Sequence, residues 1–190
     1  MAKRRKSSST KSKISRRLNS QLKKLLMLAL TLLISALLAK YTVLDRQINP
    51  IGEISGRVVK VADGDTITVL TAGLEEVKVR LYGIDAPESK QAFGSSSASQ
   101  LSSLVWGKSV VVEIVEIDRY NRSVGRVTLG DLDVNQEMVL TGNAWVYDSY
   151  CKISQCAGWK DLQASAKAQR KGLWRDKNPT PPWKWRKKNS

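Results

Sequence analysis

The side chains best suited to chemistry lie around one predicted β-hairpin. Residues 63–65 form an Asp-Gly-Asp turn before a β-branched run, and Arg80 and Asp85 lie on the returning side. If the hairpin turns at about residues 72–73, antiparallel partners sum to about 145, which sets Asp65 beside Arg80. Two carboxylates with backbone carbonyls and water can hold a hard cation, and the arginine can clamp a phosphate.

Two further groups extend this predicted site. Glu88 follows Asp85 by three positions, and residues 118–122 (DRYNR) form a basic turn with an aromatic ring. An isolated Asp-Gly-Asp sequence is usually only a tight turn, but the convergence of the other groups favours a site. Two alternatives stay open: Arg80 as a simple surface ion pair with Asp65, and Glu88 as a solvated loop acid.

The composition excludes several chemistries. The 190 residues include no histidine and two cysteines, so there is no imidazole base, no Ser-His-Asp or Cys-His nucleophile, and no four-ligand zinc site from these residues alone. Catalysis must therefore use carboxylates, Lys, Arg, Tyr or a hard metal ion. The net charge is +15, and ten of the basic residues lie in residues 1–24, where no acid occurs. This charge favours an anionic partner.

Short β-branched runs separated by turn signals predict a barrel. We predict strands at 53–62, 66–70, 75–82, 109–118 and 124–129, helices at 95–106, 134–140 and 159–171, and a short extended piece at 144–147. Five strands with about three helices placed late in the chain favour an α+β, mainly β, closed barrel over a βαβ sheet.

The N-terminus has the pattern of a membrane-directed segment. We predict a disordered cytoplasmic segment at 1–24, a signal-anchor or transmembrane helix at 25–44 with Lys40 snorkelling, and a linker at 45–52. The positive flank predicts single-pass insertion in the plasma (inner) membrane with the following domain outside the cytoplasm. A cleaved signal peptide, giving a secreted protein, and a buried core helix are the alternatives.

Cys151 and Cys156 lie five positions apart in a polar segment, which favours a small disulfide loop in an exported chain over two free buried thiols. The domain is expected to span 53–178, followed by a Pro/Trp/basic tail at 179–190. For Trp183 and Trp185 in this tail we favour docking on the barrel, with contact to nucleic acid or lipid headgroups as the alternative.

The order and spacing of several motifs resemble the staphylococcal nuclease (thermonuclease) family. They are VADGDTITVL at 61–70, VRLYGIDAPES at 79–89, DRYNR at 118–122, GNAWVYDSYC at 142–151, KGLW at 171–174 and PPWKWR at 181–186. The resemblance covers about residues 53–186. It implies an OB-type five-stranded barrel with helices and calcium-dependent hydrolysis of phosphodiester bonds in DNA and RNA.

The resemblance also implies a metal site. Asp65 and Asp85 match the calcium-ligand carboxylates, and Asp63 is a supporting acid. Ala86 stands where the best-known member has threonine, so its backbone carbonyl is the expected ligand and binding of the one Ca2+ ion is expected to be weaker.

Catalytic and substrate-binding positions follow in the same way. Arg80 and Arg122 match the two phosphate-binding arginines, and Glu88 matches the glutamate assigned as general base. The physical logic agrees, since cations neutralise charge that builds on phosphorus while a carboxylate orients water. Candidate substrate contacts are Arg119 and Tyr120 at a terminal phosphate, and Tyr147 and Tyr150 stacking on a base.

The expected partners are a DNA or RNA substrate and, through 25–44, a membrane. We expect a monomer and infer no protein partner. A non-catalytic, membrane-anchored OB-type module that binds nucleic acid is the alternative function. Degenerate binding modules are expected to lose several of these acids and arginines, and none is lost here.

Overall fold

The computed structural model describes residues 22, 24–35 and 50–189. Residues 24–35 form helix α1, whose apolar side chains are exposed. Among the described residues, no helix combines the length and the apolar character needed to cross a membrane. Most of the predicted basic segment 1–24, residues 36–44 of the predicted anchor and most of the linker 45–52 lie outside the described residues.

Five long strands form a closed barrel, which confirms the predicted five-stranded fold. They are β1 (Gly52–Val61), β2 (Thr66–Thr71), β3 (Glu76–Leu81), β5 (Ser109–Ile117) and β6 (Ser123–Leu129). Neighbouring strands are antiparallel in the order β3-β2-β1-β5-β6, and a parallel pairing of β3 with β6 closes the barrel. The predicted strand bounds are correct to within about a residue at each end.

Closure depends on curvature in the two longest strands. The register of β1 shifts between Val58 and Lys60, and that of β5 shifts between Ile114 and Glu116. Such bulges bend and twist a strand, so that one strand can pair with a neighbour on each side. The barrel interior is filled by β-branched and leucine side chains that are nearly inaccessible to solvent, among them Val58, Ile67, Val69, Val79, Leu81, Val112 and Val127.

Four helices, rather than the predicted three or so, accompany the barrel within residues 50–189. They are α2 (Gly94–Val105), α3 (Val134–Leu140), α4 (Gln155–Ala168) and α5 (Pro182–Asn189). The helix predicted at 159–171 is wrong at both ends, since α4 begins and ends a few residues earlier in the chain. Helix α5 lies where the sequence predicts only a tail. Pro182 suits the first turn of a helix, because the N–H that proline lacks would have no partner there.

Three two-residue strands complete the sheet structure. They are β4 (Ile84–Asp85), β7 (Leu132–Asp133) and β8 (Trp145–Val146). Strand β4 pairs with β8, and the Tyr147 N–H donates to the Gly83 carbonyl at 2.8 Å. The segment after β3 is thereby fixed to the segment before α4.

The predicted disulfide between Cys151 and Cys156 is present. Both cysteines are buried, and they belong to the main hydrophobic core together with Trp159. The disulfide loop therefore joins the start of α4 to the side of the barrel where β4 and β8 pair.

Candidate active site

The predicted site residues gather around one pocket of about 630 Å³. Its lining includes Asp63, Asp65, Arg80, Ala86, Glu88, Arg119, Tyr120, Arg122, Tyr147 and Tyr150. The remaining predicted ligand, Asp85, lies just beneath the surface with a side chain that is 0% exposed. Residues separated by almost 90 positions thus surround one pocket, as the motif spacing predicts.

The Asp-Gly-Asp turn places two acids at the pocket. Asp65 donates its backbone N–H to Asp63 Oδ1 at 3.0 Å. Gly64 lies so close to α2 and to the loop after β4 that an added Cβ would collide with Ser97 Oγ and the Ala86 methyl group. Burial, followed by repulsion from Asp65, raises the pKa of Asp63 to about 6.

Arg80 joins the two predicted ligand carboxylates. Thr66 pairs with Arg80 in the β2–β3 register, one position from the predicted partner, and the side chains still meet. Arg80 Nη1 donates to Asp65 Oδ1 and Nη2 donates to Asp85 Oδ1, both at 2.7 Å. Burial lowers the pKa of Arg80, but attraction to the two aspartates outweighs this effect, so that the pKa is raised. The guanidinium stays charged and fixes both acids.

The backbone of the loop after β4 also contacts this network. The Ala86 N–H donates to Asp65 Oδ2 at 2.8 Å, and the Thr66 hydroxyl donates to Asp65 Oδ1 at 3.1 Å. Asp65 is therefore held by one cation and two neutral donors, which is how a nearly buried carboxylate is stabilised.

Sequence reasoning missed the role of Arg186 of α5, which lines the pocket. Arg186 Nη1 donates to Glu88 Oε1 at 2.6 Å and to Asp85 Oδ1 at 3.0 Å, and Nη2 donates to Asp85 Oδ2 at 2.8 Å. Burial raises the pKa of Asp85, and repulsion from Asp65 adds to it, against the opposite effect of Arg186 and Arg80. The only signal in the sequence was an arginine within the PPWKWR motif, which we assigned to a tail.

A tight turn holds Arg122. Asp118 Oδ1 accepts the backbone N–H groups of Tyr120 and Arg122 at 2.9 and 3.0 Å. Asp118 Oδ2 accepts from Arg122 Nε at 2.8 Å. The guanidinium groups of Arg119 and Arg122 lie 4.8 and 5.5 Å from the centroid of the Tyr120 ring. Asp118, quoted in the motif but given no role, is thus the residue that positions Arg122.

The aromatic candidates Tyr147 and Tyr150 line the same pocket. The Tyr147 ring stacks on Trp183 of α5 with centroids 4.9 Å apart and an interplanar angle of 3°, and Tyr150 is tilted against Tyr147 at 4.7 Å. Trp183 also contacts Trp145 edge-on at 5.7 Å, as our expectation of docking on the barrel required. Tyr150 is 56% exposed, so it is the ring with more surface free for a ligand.

The donor chemistry around Asp85 fits a hard cation such as calcium, since every candidate donor is an oxygen. In the described part of the chain, however, no three His, Cys, Asp or Glu side chains are grouped closely enough to hold a metal ion as they stand. The reason is visible in the hydrogen bonds, because Arg80 and Arg186 lie between the carboxylates.

Residues 78–176 match the family model described as staphylococcal nuclease homologue. The chain is 47% identical to an uncharacterized endonuclease of Escherichia coli over 135 residues, which are 70% of this chain and 86% of the relative. It is 45% identical to an uncharacterized endonuclease of Haemophilus influenzae over 69% of this chain and 72% of that protein. It is 41% identical to a micrococcal nuclease of Shigella flexneri over 71% of this chain and 82% of that protein.

The matched segment begins within β3 and includes Arg80, the loop with Glu88 and the turn that holds Arg122. Family model, relatives and pocket therefore agree, and the chain belongs to the staphylococcal nuclease family.

Proposed function

We propose that this thermonuclease-type nuclease hydrolyses phosphodiester bonds of DNA or RNA with the help of one calcium ion. The observation that carries the proposal is that Arg80, Arg122, Glu88 and the aspartates of the hairpin share one pocket. A phosphodiester needs cationic donors, and the attack on phosphorus needs an oriented water. The relatives named endonuclease and micrococcal nuclease support the same reaction.

The charge of the pocket supports the need for a metal ion. Six carboxylates line it or lie directly beneath it, namely Asp63, Asp65, Asp85, Glu88, Glu116 and Asp118, against the four arginines Arg80, Arg119, Arg122 and Arg186. When all are ionised, the excess is two negative charges, which repels an incoming phosphodiester. One divalent cation balances this excess.

Asp65 and Asp85, with the Ala86 carbonyl and Asp63 in support, are the residues proposed to hold calcium. When bound, the ion supplies a Lewis acid that neutralises charge on the phosphoryl oxygens. The methyl side chain of Ala86 offers no hydroxyl near this position, so the affinity is expected to be modest.

Arg80 and Arg122 are proposed to bind the phosphoryl oxygens as negative charge develops on them. Both side chains are partly exposed to the pocket, at 20% and 25%, and both are oriented by carboxylates. An oriented guanidinium stabilises a transition state without reorganising at the moment of reaction.

Glu88 is proposed to orient the attacking water and to accept its proton. Its side chain is 34% exposed and reaches the pocket, as a general base must. Arg119, Tyr120, Tyr147 and Tyr150 line the same pocket and are proposed to contact neighbouring phosphates and bases of the substrate.

The test is cleavage of labelled single-stranded DNA and RNA by the full-length chain, with calcium and with chelator. We expect calcium-dependent cleavage that falls at least about 100-fold in Glu88→Gln and in Arg122→Ala. Glu76→Gln and Arg57→Ala are matched controls, since both residues are exposed and lie outside the pocket.

A folded chain that binds DNA but leaves it intact in calcium would refute the nuclease and support the non-catalytic binding module. Cleavage that survives in both site variants would refute the assigned residues while leaving the activity intact.

We also propose that the domain works outside the cytoplasm. The disulfide between Cys151 and Cys156 supports this location, since such bonds persist in oxidising compartments. Protease added to intact spheroplasts should then digest the domain, whereas protection until the cells are lysed would place it inside.

A further inference from the structure

Arg186 contacts the two acids whose freedom the proposed reaction requires. Its guanidinium uses both terminal nitrogens on Asp85 and one of them on Glu88 as well, at 2.6–3.0 Å. The residue lies on α5, 101 positions beyond Asp85 in the chain. We propose that Arg186 is an internal cation that competes with the divalent ion for Asp85, holds the proposed base Glu88 at the same time, and thereby sets the calcium requirement of the enzyme. This inference rests on the proposed function.

Most of the acceptor sites of Asp85 are already occupied. Oδ1 accepts one hydrogen bond from Arg80 and one from Arg186, and Oδ2 accepts one from Arg186. Each carboxylate oxygen offers about two lone-pair sites. Because Asp85 is 0% exposed, water cannot supply replacement contacts. Arg186 fills two of the three occupied sites, one on each oxygen, so a metal ion that binds Asp85 through both oxygens must displace it.

Electrostatic repulsion also opposes the simultaneous binding of Arg186 and a divalent ion to Asp85. A guanidinium and a divalent ion repel each other when they share one buried carboxylate. Glu88 helps to hold Arg186 in this position, since its Oε1 accepts the shortest of the three contacts, at 2.6 Å. Losing Arg186 should therefore favour the metal ion, although it removes a stabilising ion pair.

Arg186 belongs to helix α5, which lies next to the pocket. Helix α5 is eight residues long and is held near the pocket by Trp183, which stacks on Tyr147 and contacts Trp145. The bonds of Arg186 to Asp85 and Glu88 hold the same helix, so displacement of the guanidinium removes part of what fixes α5. Binding of calcium is therefore expected to change the surroundings of Trp183 and the protection of the α5 backbone.

The experiment is calorimetric titration of calcium into the full-length chain and into Arg186→Gln. We expect Arg186→Gln to bind calcium at least about ten-fold more tightly, which matches the loss of one charge-assisted contact. Arg186→Lys should lie between the two, since an ammonium group cannot bridge both oxygens of Asp85 and Glu88. Lys187→Gln is the matched control, because it removes the next charge of α5 from an exposed side chain. It should stay within about two-fold of the parent.

Hydrogen exchange of the parent chain gives a second measurement that needs no variant to fold. Backbone amides of α5 should exchange faster in calcium than in chelator, and tryptophan emission should change over the same calcium range. Unchanged or increased protection of α5 would overturn the competition.

The outcomes also separate the two proposals. Parent and Arg186→Gln chains that cleave DNA and bind calcium equally well, or weaker binding by Arg186→Gln, would overturn the role of Arg186 while the nuclease stands. Absence of calcium binding in both chains would overturn both proposals. Calcium binding by Arg186→Gln but not by the parent chain would support the proposal, since it would mean that Arg186 excludes the ion completely.

Discussion

Replacement of Arg80 by methionine should destabilise the barrel as well as impair catalysis. Each of its two charge-assisted hydrogen bonds, to Asp65 and Asp85 at 2.7 Å, is worth about 1.5–3 kcal/mol. Asp85 keeps Arg186 on both oxygens, so most of the penalty falls on Asp65. Asp65 is only 3% exposed, and among the described residues Arg80 is the one cation paired with it. We expect the free energy of unfolding to fall by about 3 kcal/mol in chelator.

A double-mutant cycle tests whether the unpaired charge of Asp65 causes this loss. In Arg80→Met/Asp65→Asn, the asparagine oxygen can still accept the Ala86 N–H, but no buried charge is left without a partner. We expect the second substitution to recover about 2 of the 3 kcal/mol. Lys78→Met is the control on the same strand, and as an exposed residue it should cost less than about 0.5 kcal/mol.

Urea unfolding of the full-length chain, followed by tryptophan fluorescence, is a suitable assay. All six tryptophans lie between residues 106 and 185, so the signal reports the barrel and its helices. An Arg80→Met chain as stable as Lys78→Met would refute the reasoning, and so would a double variant that recovers nothing.

Four further results are expected. The raised pKa of Asp63, about 6 in the folded chain against 3.8, means that the native state binds the proton more tightly. In chelator, the free energy of unfolding should therefore fall as pH rises through about 4 to 6. Asp63→Asn should remove this pH dependence and raise the free energy of unfolding at pH 7 by up to about 3 kcal/mol, as measured by urea unfolding. Asn135→Ala should cost about 3 kcal/mol by the same assay, since the buried Asn135 accepts the Val127 N–H and donates to the Tyr82 carbonyl. Reduction of the disulfide should cost about 2 kcal/mol, seen as a lower Tm, whereas an unchanged Tm would mean that the loop is already rigid without it. Arg122→Ala should reduce cleavage with little loss of stability, because its partner Asp118 lies in a partly exposed turn.

The local half of the site could be predicted from sequence. The turn length fixes the register of β2 and β3, and the register brings Arg80 to Asp65 even though it differs by one position from our estimate. The contacts of Arg122 are also local, since Asp118 precedes it by four residues. Short β-branched runs separated by turn signals also predict the five long strands to within about a residue at each end.

The distant half could not be predicted in this way. No periodicity links Arg186 to Asp85 over 101 positions, because the contact depends on where the chain returns after α4. Helix α5 has a weak apolar face, and its positive charge and the prolines at and before its first residue are typical of a tail. Asn135 is a similar case, since its role appears only when barrel closure brings the carbonyl of Tyr82 next to α3.

The pairing of Arg80 and Arg122 with acids is compatible with phosphate binding. A guanidinium has five N–H donors. Arg80 gives one hydrogen bond from each terminal nitrogen to its aspartates. Arg122 gives Asp118 one hydrogen bond from Nε, and its Nη2 makes an ion-pair contact with the same carboxylate at 2.7 Å. Both arginines thus keep donors that can meet a phosphoryl oxygen while the acids hold their orientation. Arg186 differs because it makes three bonds to the proposed ligand and the proposed base, so its pairing opposes the reaction until it is displaced.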